Sequence, residues 1–517
     1  MDQDTLAPMR EVAAPSWRLL PGIDTAVQGL IVSGFGHLPA AQALFMRQTA
    51  PGGDWLATLN RVAPITDATG RAPRASCVAL TSAALALMGV DDATLVRFDL
   101  PFQQGMHAPE RRRRLGDADP RTIAEGGVRW SGSEFPSSAA NEIHALLLLY
   151  GSDADVATAW ADEVVAALDP QLVCVHRLSL DLHQDERGIS REHFGFADGL
   201  SQPIPHGAAV VGRDGQATAK DQWHGIESGD ILLGHLNAYG EPAPGPYVPD
   251  DNVARDAGLS EGNAPPGFLD FGLNGSYLVV RELQQDVAGF WQDMDRCAAV
   301  VRAADPSTTH VTAEWVAERV IGRTIDRGDL LRPAEAQDDG VAGTAGNATG
   351  FLATDPHGYG CPMGAHVRRA NPRDGLAGAP EFGRTVLEAT NNHRLLRRGR
   401  KFGAEAVDPR RADHERRGLL FMCLNTDIAR QFEFVQQTWL LNPNFATLRE
   451  QVDPLIGPIG PFTIPQAPFR RQVDVRTYVR LTGGEYFFLP SLPALRFLAC
   501  LKPMVRQADS LDLRTGG

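Results

Sequence analysis

The sequence predicts an α+β protein. Strand-like and helix-like segments are intermixed along the chain, and the connections between them are short. Residues 1–22 carry Pro, Asp and Ala without periodicity and read as a loose arm. VQGLIVSGFGHLPAAQALF (27–45) reads as a strand, a glycine-rich turn and a helix start. SCVALTSAALALMGV (76–90) is strand-like up to Thr81 and helical after it. IHALLLLYG (143–151) and LVCVHRLSLDL (172–182) are strands flanking the alanine-rich helix 154–168, and in the second of them Val173 and Val175 share a face by the period of two.

A polar, glycine-rich stretch at about 206–228 separates this part from the next. There, DILLGHLNAYG (230–240) predicts strand and turn, and GSYLVVRELQQDVAGFW (275–291) a strand running into a helix. The stretch 333–350, low in apolar residues and rich in Gly and Ala, reads as a surface loop or a disordered segment. GLLFMCLN (418–425) predicts a strand and DIARQFEFVQQTWL (427–440) an amphipathic helix. TGGEYFFLPS (482–491) predicts a last strand, followed by a helix around PALRFLACL. A chain of 517 residues exceeds one ordinary core, and the expected division is 1–225 and 226–517. The halves share an element order but no repeat of fixed period.

Hydrophobic residues make up 43% and charged residues 22%, ordinary values for a globular chain. The net charge of −14 argues against a nucleic-acid binder. The one dense basic cluster, Arg111 to Arg114, reads as a solvated face. Six scattered cysteines form no CxxC and no CxxCH, which points to a reducing compartment and away from covalent haem attachment. The N-terminal residues show no leader pattern, and no apolar run approaches the roughly 18 residues of a membrane span. The expected location is the cytoplasm, with no membrane partner.

Four segments place polar residues and glycines where a core would not want them. In GFADGLSQP (195–203), Asp198 is a candidate carboxylate for accepting and returning a proton, against the plainer role of capping a turn. In CPMGAHVRRANPRD (361–374), His366 follows small residues, so its imidazole could approach a flat macrocycle and bind iron. Arg368 and Arg373 could pair with carboxylates on that macrocycle. The alternatives are a hydrogen-bonded structural histidine, or a metal cluster of His357, Cys361 and His366. In NNHRLLRRGRKFG (391–403), one arginine of the run could enter a cavity while the rest face solvent. In RGLLFMCLNTDIARQFEFVQQTWL (417–440), the apolar strand could wall a pocket through Leu419 and Phe421, although a core strand is the default reading.

Taken together and in this order, the four segments resemble the dye-decolourising peroxidases, especially their longer bacterial members. The resemblance runs from about residue 27 to about 500 and also includes GGEYFFLPS near the end. It implies two ferredoxin-like domains with antiparallel sheets, and one non-covalent haem b per chain held mainly by the second domain. It further implies His366 as axial iron ligand, Asp198 and Arg397 on the peroxide side, and an acidic partner for His366, for which Asp474 is the candidate. Lys401 stands where many relatives have proline, which predicts a more mobile loop around Arg397.

The activity implied is reduction of hydrogen peroxide coupled to one-electron oxidation of organic substrates such as dyes and phenols. Asp198 moves the proton, and Arg397 stabilises the developing negative charge. A haem-handling or iron-release protein of the same fold is the alternative. The expected partners are peroxide and an organic reductant, with a homo-oligomer left open.

Overall fold

A computed structural model of the chain describes residues 16–18, 22–70, 72–132, 142–182, 184–185, 189–205, 209–211, 217–218, 223–333, 350–466 and 469–502. The first half is built on β1 (Ala40–Gln48), α1 (Trp55–Val62), β2 (Ala75–Leu80), α2 (Ser82–Met88), β3 (Ala145–Gly151), α3 (Ala154–Leu168) and β4 (Leu172–Asp181). Its strands pair antiparallel in the order β2–β3–β1–β4, the order of a ferredoxin-like unit. The second half repeats the plan with β5 (Ser276–Gln285), α4 (Val287–Ala304), α5 (Ala313–Ile321), β6 (Arg400–Phe402), β7 (Gly418–Asn425) and β8 (Val479–Leu489), in the order β8–β5–β7–β6. The sheets join at both ends, β4 to β6 and β8 to β2, so the eight strands form a closed ring.

Closure explains why most strands read as continuous apolar runs. Residues pointing into the ring, such as Ala43, Phe45, Leu148, Val280, Met422 and Phe487, form one buried cluster. Residues on the outer face, such as Leu44, Leu147, Leu149 and Val279, pack in another cluster with Trp55, Leu59 and Trp160 of the covering helices. With both faces covered, polar/apolar alternation is not required.

Most elements fall where the sequence places them. Thr81 caps α2 by accepting from Ala84 N, as the switch at Thr81 predicts, and α3 begins at a second cap, Asp153. Several expectations fail for identifiable reasons. In 27–45 the order is reversed: the irregular part comes first, and AAQALFMRQ is strand, not helix. Its Ala, Leu, Gln and Met favour helix locally, but burial between two neighbouring strands overrides that preference. In β4 the pairing passes from Phe45–His176 to Met46–Cys174 and skips Val175, so the period-two reading breaks there. Residues 230–240 form turns, because Ile231 and Leu232 insert into the ring core instead of pairing. Helix 427–440 is π-wound at Ala429–Glu433 and Val435–Leu440, so its turns are wider than the amphipathic reading assumed. Of the N-terminal arm, Ser16–Arg18 pairs with Ala209–Val211. The stretch 334–349 lies outside the described residues.

The arginine runs are surface features only in part: Arg113 is exposed, but other members are buried and bonded. Arg111 is buried and donates to Glu433 at 2.5 Å. Arg398 donates to the carbonyls of Leu30 and Ile31. Arg400 is 2% exposed and donates to the carbonyls of Gly34, Phe35, Leu38 and Pro39, with its guanidinium over the Tyr150 ring at 4.6 Å. Burial pushes its pKa down to about 10. Lys401, expected to loosen its loop, is instead buried within β6 and ion-paired with Glu405.

Arg400→Met should therefore destabilise the protein by on the order of 3 kcal/mol, because four carbonyls lose their donor. Arg384→Ala, at an exposed position, should stay within about 0.5 kcal/mol. Urea unfolding of the two variants checks the contrast.

Candidate active site

The outer face of the second sheet is left uncovered at one place, and there it walls a cavity of about 540 Å³. The strand period selects the wall: Arg281, Leu283 and Gln285 of β5, Leu419 and Phe421 of β7, and Val479 and Leu481 of β8 all line it. A short helix, α6 (His366–Ala370), supplies His366, Val367 and Ala370. It ends at Asn371, where the following proline disfavours helical backbone. The π-wound segment adds Val435, Gln436 and Leu440, and the first half of the chain contributes Phe196, Asp198, Leu200 and Ser201. His366, Asp198, Arg397, Leu419 and Phe421, taken from both halves, thus share one cavity.

His366 is held by a carboxylate. Its Nδ1 lies 3.0 Å from Asp453 Oδ2, and Asp453 Oδ1 accepts from Leu455 N and Ile456 N at 2.9 and 3.0 Å. Burial pushes the Asp453 carboxyl up, but the neighbouring His366, Arg369 and the amide donors outweigh it and hold the group below the usual carboxylate range. An ionised carboxylate only accepts, so Nδ1 carries the hydrogen and Nε2 is left with its lone pair for a metal. Asp453 corrects the expectation of Asp474, which is exposed on the hairpin strand Phe469–Val475. Asp453 lies 87 positions from His366 and carries no local signal in the sequence.

Arg397 sits in the two-residue strand Leu396–Arg397 beside β7. Its backbone N donates to Gln202 Oε1 at 3.1 Å, and Gln202 Nε2 donates back to Arg397 O at 3.2 Å. Its Nη2 donates to Leu200 O at 2.9 Å. The arginine and the Asp198 loop are therefore fastened to each other. The backbone N of Asp198 donates to Ser190 O at 2.9 Å.

Arg368 and Arg373 do not line the cavity. Arg368 is 1% exposed and turns to the carbonyls of Cys361 and Asp355, because the small-residue loop before His366 needs its buried carbonyls satisfied. Arg373 is buried behind Ser201, donating to its Oγ at 3.5 Å. Arg323, like Arg281, is a cation on the cavity wall that the sequence motifs do not mark. It donates to Gly328 O at 2.6 Å and to Ser201 Oγ at 3.1 Å. Burial, then the charges of Arg373 and Arg397, push its pKa down to about 9. Mutually repelling guanidiniums beside a cavity favour an anionic occupant.

No family model matches the chain. The dye-decolorizing peroxidase msp1 of Mycetinis scorodonius is 27% identical over 444 residues, covering 81% of this chain and 75% of that protein. The multifunctional dye peroxidase DyP2 of an Amycolatopsis species is 32% identical over 331 residues, covering 60% of this chain and 61% of that protein. The crystal structure of a DyP-type peroxidase from an Anabaena species superposes with a TM-score of 0.68 at 23% identity, covering 92% of this chain and 94% of that one.

The chain is similar in sequence and in fold to dye-decolourising peroxidases. It has the α+β fold of two ferredoxin-like units that its motifs imply.

Asp453→Ala should weaken haem binding by about 10- to 100-fold, because the imidazole loses the acceptor that fixes its tautomer. Asp474→Ala should leave the affinity unchanged. Haem titration of the two haem-free variants checks this.

Proposed function

We propose that this chain is a haem-dependent peroxidase that reduces hydrogen peroxide and oxidises organic substrates such as dyes and phenols by one-electron steps. The observation that carries the reading is the single cavity shared by His366, Asp198 and Arg397. The residues fit haem: the cavity is of cofactor size with largely apolar walls, Nε2 of His366 is free for a metal, and the guanidinium cluster suits carboxylate substituents. The group would be one non-covalent haem b, held mainly by residues 226–517, with 1–225 supplying the Asp198 loop. His366 would ligate the iron, Leu419 and Phe421 would pack against the ring, and Arg323 would meet a carboxylate in place of Arg368 and Arg373.

Bound haem supplies a redox-active iron and stores the oxidising equivalents that peroxide delivers. Asp198 accepts a proton from one oxygen of hydrogen peroxide and returns it to the other, which departs as water. Arg397, fixed by Leu200 and Gln202, presents positive charge where negative charge develops as the O–O bond lengthens. His366, oriented by Asp453, sets the electron donation to the iron. No helix among the described residues is long and apolar enough to cross a membrane. We place the protein in the cytoplasm on its six unpaired thiols.

His366→Ala should lose haem, since the one strong protein bond to iron is removed; full haem occupancy with an unchanged absorption spectrum would assign the ligand to another histidine. Arg397→Leu and Asp198→Asn should keep haem but slow peroxide consumption by about 100-fold or more, the scale of losing one preorganised charge-stabilising group. Stopped-flow spectroscopy with peroxide measures both, and wild-type rates in both variants would sink the assignment.

A further inference from the structure

Glu192 lies six residues before Asp198, and it lines both the main cavity and a water-sized cleft that Asp198 also lines. Its Oε2 accepts from Phe194 N at 2.8 Å and from Gln285 Nε2 at 2.7 Å, and its Oε1 accepts from Phe196 N at 2.8 Å. The backbone closes the same turn: Glu192 N donates to Phe196 O, and Gly195 N to Glu192 O. Gly195 has φ of +99°, the left-handed region that a tight turn of this kind assigns to glycine. The turn is anchored below by Phe194, buried and stacked on Phe290 of α4 at 4.4 Å. Gln285 is fixed in turn, because its backbone N donates to Arg417 O at the end of β5.

We propose that Glu192 is a positioning residue for Asp198: its carboxylate fastens the turn leading to Asp198 onto Gln285, so that the second sheet sets where the proton-transferring carboxylate stands. This rests on the peroxidase reading of the cavity. The chemistry requires a carboxylate and not merely a polar side chain. All three partners are N–H donors, so a glutamine would turn its own NH₂ against at least one of them. The near-isosteric change Glu192→Gln therefore breaks the clamp with little change in volume. The clamp crosses between the halves of the chain, from the loop after β4 to β5, and complements the Gln202–Arg397 amide pair on the far side of Asp198. Asp198 is held from both ends, each time to the sheet that walls the cavity.

The test is a mutant cycle on the haem-loaded protein: wild type, Glu192→Gln, Asp198→Asn and the double variant. Glu192→Gln should lower kcat/KM for hydrogen peroxide by about ten- to a hundredfold, the scale of a small misplacement of a reacting group. It should leave kcat/KM for a phenolic reductant unchanged. The double variant should be no slower than Asp198→Asn alone, because a misplaced base and an absent one cost the same step. In the haem-free protein, amide hydrogen exchange at Phe194 and Phe196 should accelerate in Glu192→Gln. Gln285→Leu, which removes one of the three donors, serves if Glu192→Gln does not fold, with the same split in a milder form. Equal losses toward both substrates, additive losses in the double variant, or wild-type peroxide rates in Glu192→Gln would each overturn the proposal. A slow Asp198→Asn beside a normal Glu192→Gln overturns this proposal alone, whereas a normal Asp198→Asn overturns the role of Asp198 and this proposal with it.

Discussion

Asp453 is a buried carboxylate with three hydrogen-bond donors around it, and the orientation of His366 depends on it. An imidazole has two nitrogens of similar basicity, and a cavity wall alone does not choose between them. Once Asp453 takes Nδ1–H, Nε2 is the only ring atom left to bind a metal. The choice depends on the loop 453–456 folding so that its own amides neutralise the other carboxylate oxygen. The apolar neighbours Val452, Leu455 and Ile456 line the same cavity. The segment that orients His366 thus also supplies part of the pocket wall.

The closed ring makes this arrangement durable. Because each sheet is buried on its inner face, the outer face of the second sheet is a rigid surface whose side chains alternate with the core. Leu283, Leu419, Phe421 and Leu481 are therefore fixed wall positions. The polar groups are added to this wall by loops, and each loop is tied back to it: the Asp198 segment through Gln285 and through Arg397, and the strand end at Lys401 through Glu405. The Glu405 carboxyl is held down at about 2, by the neighbouring His193 imidazole first and then by Lys401. This tie is present above the ordinary glutamate range near 4.3 and is lost as the pH falls from there toward 2.

The arginine run at 394–400 shows how far sequence reading reaches. Arg397 does line the cavity at the position the motif marks, and Arg394 lines it too, but the other arginines of the run are not solvated companions. Arg398 and Arg400 bind six backbone carbonyls of residues 30–39 between them, at the seam between the halves. Charge density along a sequence does not reveal whether unpaired carbonyls await the charge elsewhere in the chain. The same blindness applies to Arg368, which satisfies the loop before His366 instead of facing the cavity.

The sequence by itself determined the elements whose signals are local: β3, α3, the strand-to-helix switch at Thr81, the strand 418–425, and the motif residues Asp198, His366 and Arg397 with their small or glycine neighbours. Capping, period and turn chemistry act over a few residues, so they can be read in one dimension. Tertiary structure decided which nitrogen of His366 is free, which arginines face the cavity, why AAQALFMRQ is a strand, and that Glu192, Gln202, Arg323 and Asp453 join the site. Each of these turns on a hydrogen bond or a burial contact between residues far apart in the chain, and composition and spacing carry no record of which donor will meet which acceptor.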